Sequence, residues 1–229
     1  MRYLSRVRLR RDASVRTLAP LLLGNVGRGS PSRQPGHHLV WSLFSDSADR
    51  KRDFLWRETG TGAFFILSAR RPEDRHGLFE IDEPKPFTPD LEPGDRLGFS
   101  LRANPVVRRR HSSHRRSAKH DVVMDALRSH AKGGRANQRF EIIRKQGFAW
   151  LDRQGQKAGF RIEPDDVTVD GYDQHRIART GPVPAMLYST LDFEGILTVS
   201  DPTTLLPAIA HGFGAAKAYG CGLMLIRRA

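Results

Sequence analysis

Two stretches of period-two alternation constrain this chain most. In Tyr3–Arg10, residues Tyr3, Ser5, Val7 and Leu9 face one side and Leu4, Arg6, Arg8 and Arg10 the other. In Asp95–Ala103, Leu97, Phe99 and Leu101 oppose Arg96, Ser100 and Arg102. That period belongs to half-buried strands and does not suit a helix. Between them lie signals for a short helix at Val15–Leu23 and a loop rich in Gly, Ser, Pro and Arg at Asn25–Gly36. A second short helix is predicted over His37–Ser45, carrying Leu39, Val40, Leu43 and Phe44. Two strands, Asp53–Glu58 and Ala63–Ala69, are joined by the hairpin signal Thr59-Gly60-Thr61-Gly62. Residues Arg70–Pro93 are polar and Pro-rich, with weak structure.

A composition shift after Asn104-Pro105 marks the expected domain boundary. Helical spacing follows in His120–Ala131 and Ala136–Ala158, with Gly147 as the expected break. Strands are predicted at Phe160–Val169, Ala185–Leu191 and Gly195–Val199, with Asp165-Asp166 as a turn. Asp201-Pro202 is a helix start backed by Leu205, Leu206, Ile209 and Ala210, and Gly222–Arg228 forms the last strand. Each half therefore reads strand, helix, two strands, helix, strand, although the second helix of the first half is poorly visible. The predicted fold is α+β: two tandem ferredoxin-like (βαββαβ, RRM-like) domains with antiparallel sheets. The expected division is 1–104, a basic linker or loop over 105–119, and 120–229. A basic sheet face left free of helices is a common RNA platform.

Composition then narrows the function. The 229 residues are 38% hydrophobic and 28% charged, which excludes wholesale disorder. No apolar run is long enough for a membrane helix. The opening MRYLSRVRLRRD lacks a secretory apolar core, so the cytoplasm is the expected compartment. A single cysteine, Cys221, excludes a disulfide framework and a cysteine-built zinc site. Lys and Arg number 38 against 25 acids, a net charge of +13 that attracts polyanions, nucleic acid above all. The charge is clustered: Arg102, Arg108, Arg109, Arg110, Arg115, Arg116 and Lys119 fall in one stretch without an acid.

Residues 212–222 read GFGAAKAYGCG, two Gly-x-Gly pairs around a centre that contains Lys217. Glycines at such spacing let backbone N–H groups approach a ligand, and with one lysine they can hold phosphate oxygens. The competing reading is a helix C-cap followed by a turn into the last strand. The segment is neither a P-loop nor a dinucleotide-binding fingerprint, because it leads into a strand.

Together with this segment, RLGFSLRANP at 96–105, DFLW at 53–56, WLDRQGQKAGFRI at 150–162, FEGILTVSDP at 193–202 and the opening MRYLSRVRL resemble the CasE family, the CRISPR RNA-processing endoribonucleases of type I-E Cascade. The resemblance covers most of the chain in the right order. It implies a metal-independent RNase without a cofactor. Such an enzyme cuts precursor CRISPR RNA at the base of the repeat stem-loop, leaving a 5′-hydroxyl and a 2′,3′-cyclic phosphate. It stays on the hairpin of the mature crRNA as a subunit beside the other type I-E Cascade subunits, with no role at a membrane. The alternative is a non-catalytic RNA hairpin-binding module of the same architecture.

In the family the general acid is a histidine four residues before the tryptophan of an H-x-x-x-W-x-L-F pattern. His37-His38-Leu39-Val40-Trp41-Ser42-Leu43-Phe44 puts His37 there, with His38 as the alternative. An imidazole with a pKa near ~6.5 suits protonation of a leaving 5′ oxygen. Without the resemblance, the pair reads as a solvated helix start. The family tyrosine three residues before the histidine is Gln34 here, which leaves that role unassigned.

The resemblance further assigns Lys217, Gly214 and Gly220 to the RNA phosphates, and by position in the fold His175, Arg176 and Arg179 to the RNA groove. Arg102 has two open readings, RNA contact or a pair with an acid at the domain junction. Arg108, Arg109 and Arg110 likewise read as phosphate contacts or as a solvated loop. Trp41, Trp56 and Trp150 read as core. No metal site is expected: His111, His114 and His120 sit in an arginine-rich run that repels a cation.

Overall fold

A computed structural model of the chain describes residues 1–12, 34–44, 51–109, 118–128, 135–177 and 185–229, except for the side chains of 34, 35 and 135–137. The helix expected at Val15–Leu23 and most of the loop expected at Asn25–Gly36 lie outside these residues. Arg110, His111, His114, Arg115, Arg116 and Arg179 lie outside them as well.

The first sheet holds β1 (Tyr3–Leu9), β2 (Phe54–Gly60), β3 (Ala63–Ser68), β4 (Phe79–Ile81) and β5 (Lys85–Pro86). Its order is β2-β3-β1-β4, antiparallel, with β5 also on β1. Helix α1 (Gln34–Ser42) covers one face. Leu39, Val40, Leu43 and Phe44 pack there on Val7, Phe54, Trp56, Phe64, Ile66 and Phe79, all buried.

The second sheet holds β6 (Arg96–Ala103), β9 (Phe160–Ile177), β10 (Met186–Val199) and β11 (Met224–Arg228), in the order β11-β6-β10-β9. Between β6 and β9 come the paired strands β7 (Val106–Arg109) and β8 (Ala118–Asp121), then α2 (Val122–Leu127) and α3 (Arg135–Ala158). Helix α4 (Pro202–His211) precedes the glycine-rich loop. In each sheet the first strand lies between the third and the fourth. That is the ferredoxin-like order, twice.

The expected boundary at 104 does not hold. Strand Arg96–Ala103 exists as predicted, yet it pairs with β10 and β11 and opens the second domain instead of closing the first. The cause is its apolar face: Leu97, Phe99, Leu101 and Ala103 are buried with Trp150, Leu151, Phe193 and Leu205. The first sheet is completed by β4 and β5, inside the stretch read as weakly structured. The connection between the two sheets falls in 87–95. Nor is 105–119 wholly a linker, since β7 and β8 pair across it.

Other differences have local causes. The helix expected from His120 starts at Val122, because the Asp121 side chain caps it by accepting from Met124 N at 2.6 Å. Helix α3 runs unbroken through Gly147, where a Cβ would lie 2.4 Å from Val169 Cγ1, so the glycine permits close helix–sheet contact. Asp165-Asp166 falls within β9, at a shift of register: Val167 pairs with Gly195 and Ile162 with Leu197. The Asp201-Pro202 start holds, with Asp201 accepting from Thr203 N and Thr204 N.

The face of the first sheet opposite α1 is not a free platform. Leu55 and Leu67 are buried in the second domain's core, Leu4 and Phe65 pack against it, and Arg57 Nη1 donates to Ser100 Oγ at 2.8 Å. The helix-free faces of the two sheets meet. Among the described residues, no helix is long and apolar enough to cross a membrane.

Candidate functional site

Trp56 organises the junction between the domains. It projects from β2, is 1% exposed, and its Nε1 donates to the carbonyl of Ala218 in the glycine-rich loop at 3.1 Å. Its ring touches backbone on both sides. A Cβ on Gly36 of α1 would lie 2.7 Å from Trp56 Cη2, and a Cβ on Gly220 of the loop 3.0 Å from Cζ3. Pro35 and Gly36 thus open a helix that must lie flat on an indole, and proline is tolerated in a first helical turn. Helix α1 and the loop are both held against the Cζ3–Cη2 edge of one buried ring.

The loop follows α4. Gly212, Gly214, Gly220 and Gly222 all have positive φ, and Gly212 caps the helix. Lys217–Tyr219 form a single 3-10 turn between Ala216 and Gly220, both left-handed. The C-cap reading is therefore correct for the start of the loop. Lys217 Nζ donates to the carbonyl of His211 at 2.8 Å, at the end of α4.

This packing brings the second domain's loop to the histidine helix of the first. The His37 ring lies 5.9 Å from that of Tyr219 and 6.1 Å from that of Trp41, centroid to centroid. His37 is partly buried and faces the loop, whereas His38 is exposed. Burial lowers the His37 pKa below 6.5, and His38 and Arg52 add to that, while the Ala218 carbonyl opposes it. Nδ1 of His37 is buried with no hydrogen-bond partner among the described residues. The Lys217 ammonium is also pushed down, first by burial and then by Arg52 and Lys119. Arg52 thus acts on both His37 and Lys217, and Lys119 acts on Lys217 as well. A phosphate seated there would relieve their repulsion.

The other predicted residues are spread more widely. His175 lies on β9, its Nε2 3.0 Å from Thr190 Oγ1 and its ring 4.8 Å from that of Tyr188. Arg176 is exposed beside it and lines an open cavity of about 660 Å³ with Lys119, Arg128 and Leu187. Arg108 is exposed on β7, in register with Lys119. Arg109 is spoken for: its Nε and Nη2 donate to Asp125 at 3.0 and 2.7 Å. Arg102 forms a two-pronged ion pair with Asp192, Nε to Oδ1 at 2.6 Å, so it does pair with an acid, but one on the neighbouring strand of its own sheet rather than one across the domain junction. Trp56 and Trp150 are core, as expected, and Trp41 is half-buried against Phe54. No cluster of three or more metal-ligating side chains occurs among the described residues.

Sequence reasoning missed Arg52 and Tyr219 at the site. Tyr219 lies inside the quoted glycine motif, but its direction depends on a left-handed Ala216 (φ 51°) that no sequence pattern announces. Arg52 carries no local signal beyond its place just ahead of β2.

The family described as "CRISPR associated protein" matches residues 2–228. The Cascade subunit CasE of Escherichia coli K12 is 28% identical over 198 residues, 82% of this chain and 88% of that protein. The CRISPR-associated endoribonuclease Cse3 of Thermus thermophilus is 30% identical over 158 residues, 66% of this chain and 64% of that protein. The solved structure of Thermus thermophilus Cse3 bound to an RNA representing a pre-cleavage complex superposes with a TM-score of 0.67 at 23% identity. It covers 99% of this chain and 98% of that one, and it shows the shared fold. A match across nearly the whole chain, over the tandem sheets and the glycine-rich loop, places this protein in the CRISPR associated protein family, as a member of its CasE group.

Proposed function

We propose that this chain is the endoribonuclease that processes precursor CRISPR RNA, cutting at the base of the repeat hairpin without a metal ion. It then remains on the product as a subunit of a Cascade complex. The named activities of its relatives support this: one is a Cascade subunit and one an endoribonuclease, seen elsewhere with bound RNA. The observation that carries the reading is that His37 of the first domain lies against the glycine-rich loop of the second, 5.9 Å from the Tyr219 ring on the turn that also carries Lys217.

The ribose 2′ oxygen attacks the adjacent phosphorus while the bond from phosphorus to the 5′ oxygen breaks. The 2′-hydroxyl proton passes to water. His37, as imidazolium, gives its proton to the departing 5′ oxygen, which leaves as a hydroxyl, and the ring becomes neutral imidazole. The other product carries a 2′,3′-cyclic phosphate. Lys217 and Arg52 offset the extra negative charge on the five-coordinate phosphorus. General acid catalysis of this kind contributes about 10²–10⁴-fold.

The test is cleavage of the host's own repeat hairpin in EDTA, with the product ends analysed. Wild type and His38→Ala should cut and leave cyclic phosphate ends, while His37→Ala binds without cutting. If all three bind tightly and none cuts, the chain is a hairpin-binding module. If only His38→Ala is inactive, the acid is His38.

A further inference from the structure

We propose that Tyr219, reaching across from the second domain, is the positioning residue that holds the His37 imidazole in line for proton transfer. The proposal rests on the RNase reading above and adds a residue to it.

An imidazole is normally fixed by a hydrogen bond from the nitrogen that does not react. Here Nδ1 is buried and has no such partner among the described residues. Beside the Ala218 carbonyl, what surrounds the ring is aromatic. Trp41 approaches edge-on one turn along the same helix, and Tyr219 lies on the loop side, tilted by 43°. Helix α1 contains no tyrosine. The contact comes from the other domain.

Tyr219 is itself fixed. Its ring stacks on that of Tyr188 at 5.5 Å and 23°, and Tyr188 lies against His175. A column of rings therefore runs from strands β9 and β10 to the imidazole. The turn that carries Tyr219 is pinned at both ends, by Ala216 at φ 51° and Gly220 at φ 78°. Ala216 is the one non-glycine residue with positive φ among the described residues. Backbone strain at a non-glycine residue collects where surrounding structure imposes a geometry. The neighbouring Ala218 carbonyl is bonded to Trp56. The turn thus has little freedom, and its tyrosine ring forms one wall of the histidine's site. Among the described residues, the charged and titratable groups facing His37 are His38 on its own helix, Arg52 ahead of β2, and Tyr219, with Lys217 two residues before Tyr219 on the loop.

The role assigned to Tyr219 belongs to its ring. Covering the imidazole keeps water away and favours its neutral form. Removing the ring should raise the His37 titration midpoint toward that of a solvated histidine. The alkaline fall in cleavage rate, which follows loss of the acid's proton, should move to higher pH with it.

The experiment pairs single-turnover cleavage across pH, in EDTA on the repeat hairpin, with NMR titration of the His37 imidazole in the RNA-free protein. Tyr219→Phe should stay within about twofold of wild type in both, because it keeps the ring. Tyr219→Ala should cut about 10–100-fold more slowly, the scale expected when a reacting group is misplaced by about an ångström. Its hairpin affinity should be unchanged and its His37 midpoint raised. Tyr219→Leu, which keeps most of the bulk, should shift the same way and serves if the alanine variant fails to fold. An Ala or Leu variant that folds and matches wild type in rate and midpoint overturns the proposal, while wild-type cleavage still upholds the RNase reading. A Tyr219→Phe variant as slow as Tyr219→Ala also overturns it, by moving the role to the hydroxyl. A wild-type protein that binds but never cuts overturns both.

Discussion

The two domains share a strand order and differ in how much each can hold by itself. The first builds its sheet with a three-residue β4 and a two-residue β5, and its described helix has nine residues. The second has an 18-residue strand, a 14-residue strand and a 24-residue helix. Its core also draws in Leu55 and Leu67 from the first domain. Helices shorter than about 12–15 residues are marginal alone. Helix α1 therefore takes its place from what it lies on, the Trp56 indole and the loop beyond it. The proposed acid stands on the first domain, on a helix seated on that domain's own Trp56, and the ring proposed to position it, Tyr219, belongs to the second.

The largest effect that separates the halves should come from the proposed reacting groups. His37→Ala should reduce cleavage by about 10²–10⁴-fold while leaving hairpin affinity near wild type. Lys217→Ala should cost about 10²–10³-fold, as loss of a charge-stabilising donor does, and should weaken binding too. Rate and affinity measured side by side decide the matter. A lysine variant with wild-type rate would remove the loop from the chemistry and leave it only structural.

Two glycines set the domain interior against the junction. Gly147→Ala drives a Cβ into Val169 at 2.4 Å, inside the second domain. Overpacking of this kind costs about 1–3 kcal/mol. Thermal melting should show the loss, and the protein that remains folded should cut normally. Gly220→Ala strains a residue at φ 78° and presses on Trp56 at the junction. Its cost should appear in cleavage, because it pushes the loop from α1. Equal stability losses with no change in cleavage would mean that the loop's distance from His37 does not matter.

The Arg102–Asp192 pair should have a smaller effect, confined to stability. Its side chains are 25% and 24% exposed, between the surface and buried cases, so breaking it should cost about 1–3 kcal/mol. A double-mutant cycle in urea should show coupling, with hairpin affinity unchanged in Arg102→Ala. Unchanged stability with weakened binding would return Arg102 to the RNA.

The alternating strands, the hairpin, the Asp201 cap and the glycine motif were all legible in the sequence, because each rests on local chemistry. Period two marks Arg96–Ala103 as a strand, but no local pattern says which sheet it joins. That is settled by burial of Leu97, Phe99 and Leu101 against residues far along the chain, and so the domain boundary came out wrong. The long strands β9 and β10 were read in pieces for a related reason. The register shift near Asp165 and the Gly195 in β10 look like turns until the pairing is known. At the site, His37 was named through the resemblance to the family's H-x-x-x-W-x-L-F pattern, and local chemistry alone reads the pair as a solvated helix start. Tyr219 was not found as a partner, because packing of the loop on Trp56 is what brings it there, and Arg52 carries no local signal.

The smallest expected effect tests the basic run itself. Of its members, Arg109 is engaged with Asp125 and Arg102 with Asp192, whereas Arg108 is exposed on β7 and in register with Lys119. Two like charges side by side on a strand pair gain little from each other, and a phosphate strand lying over them would relieve the repulsion. Arg108→Ala should therefore weaken hairpin binding only a few-fold, and equally for any RNA of the same charge. The slope of log affinity against log salt should fall by roughly one unit, as one phosphate contact is lost. Arg109→Ala should change the slope less, because its guanidinium already has a carboxylate. If the two variants behave alike, the Asp125 pair opens when RNA binds, and the whole run serves as a phosphate track. If neither changes the slope, β7 and β8 lie off the RNA path, and binding rests on the junction loop and on β9 with β10.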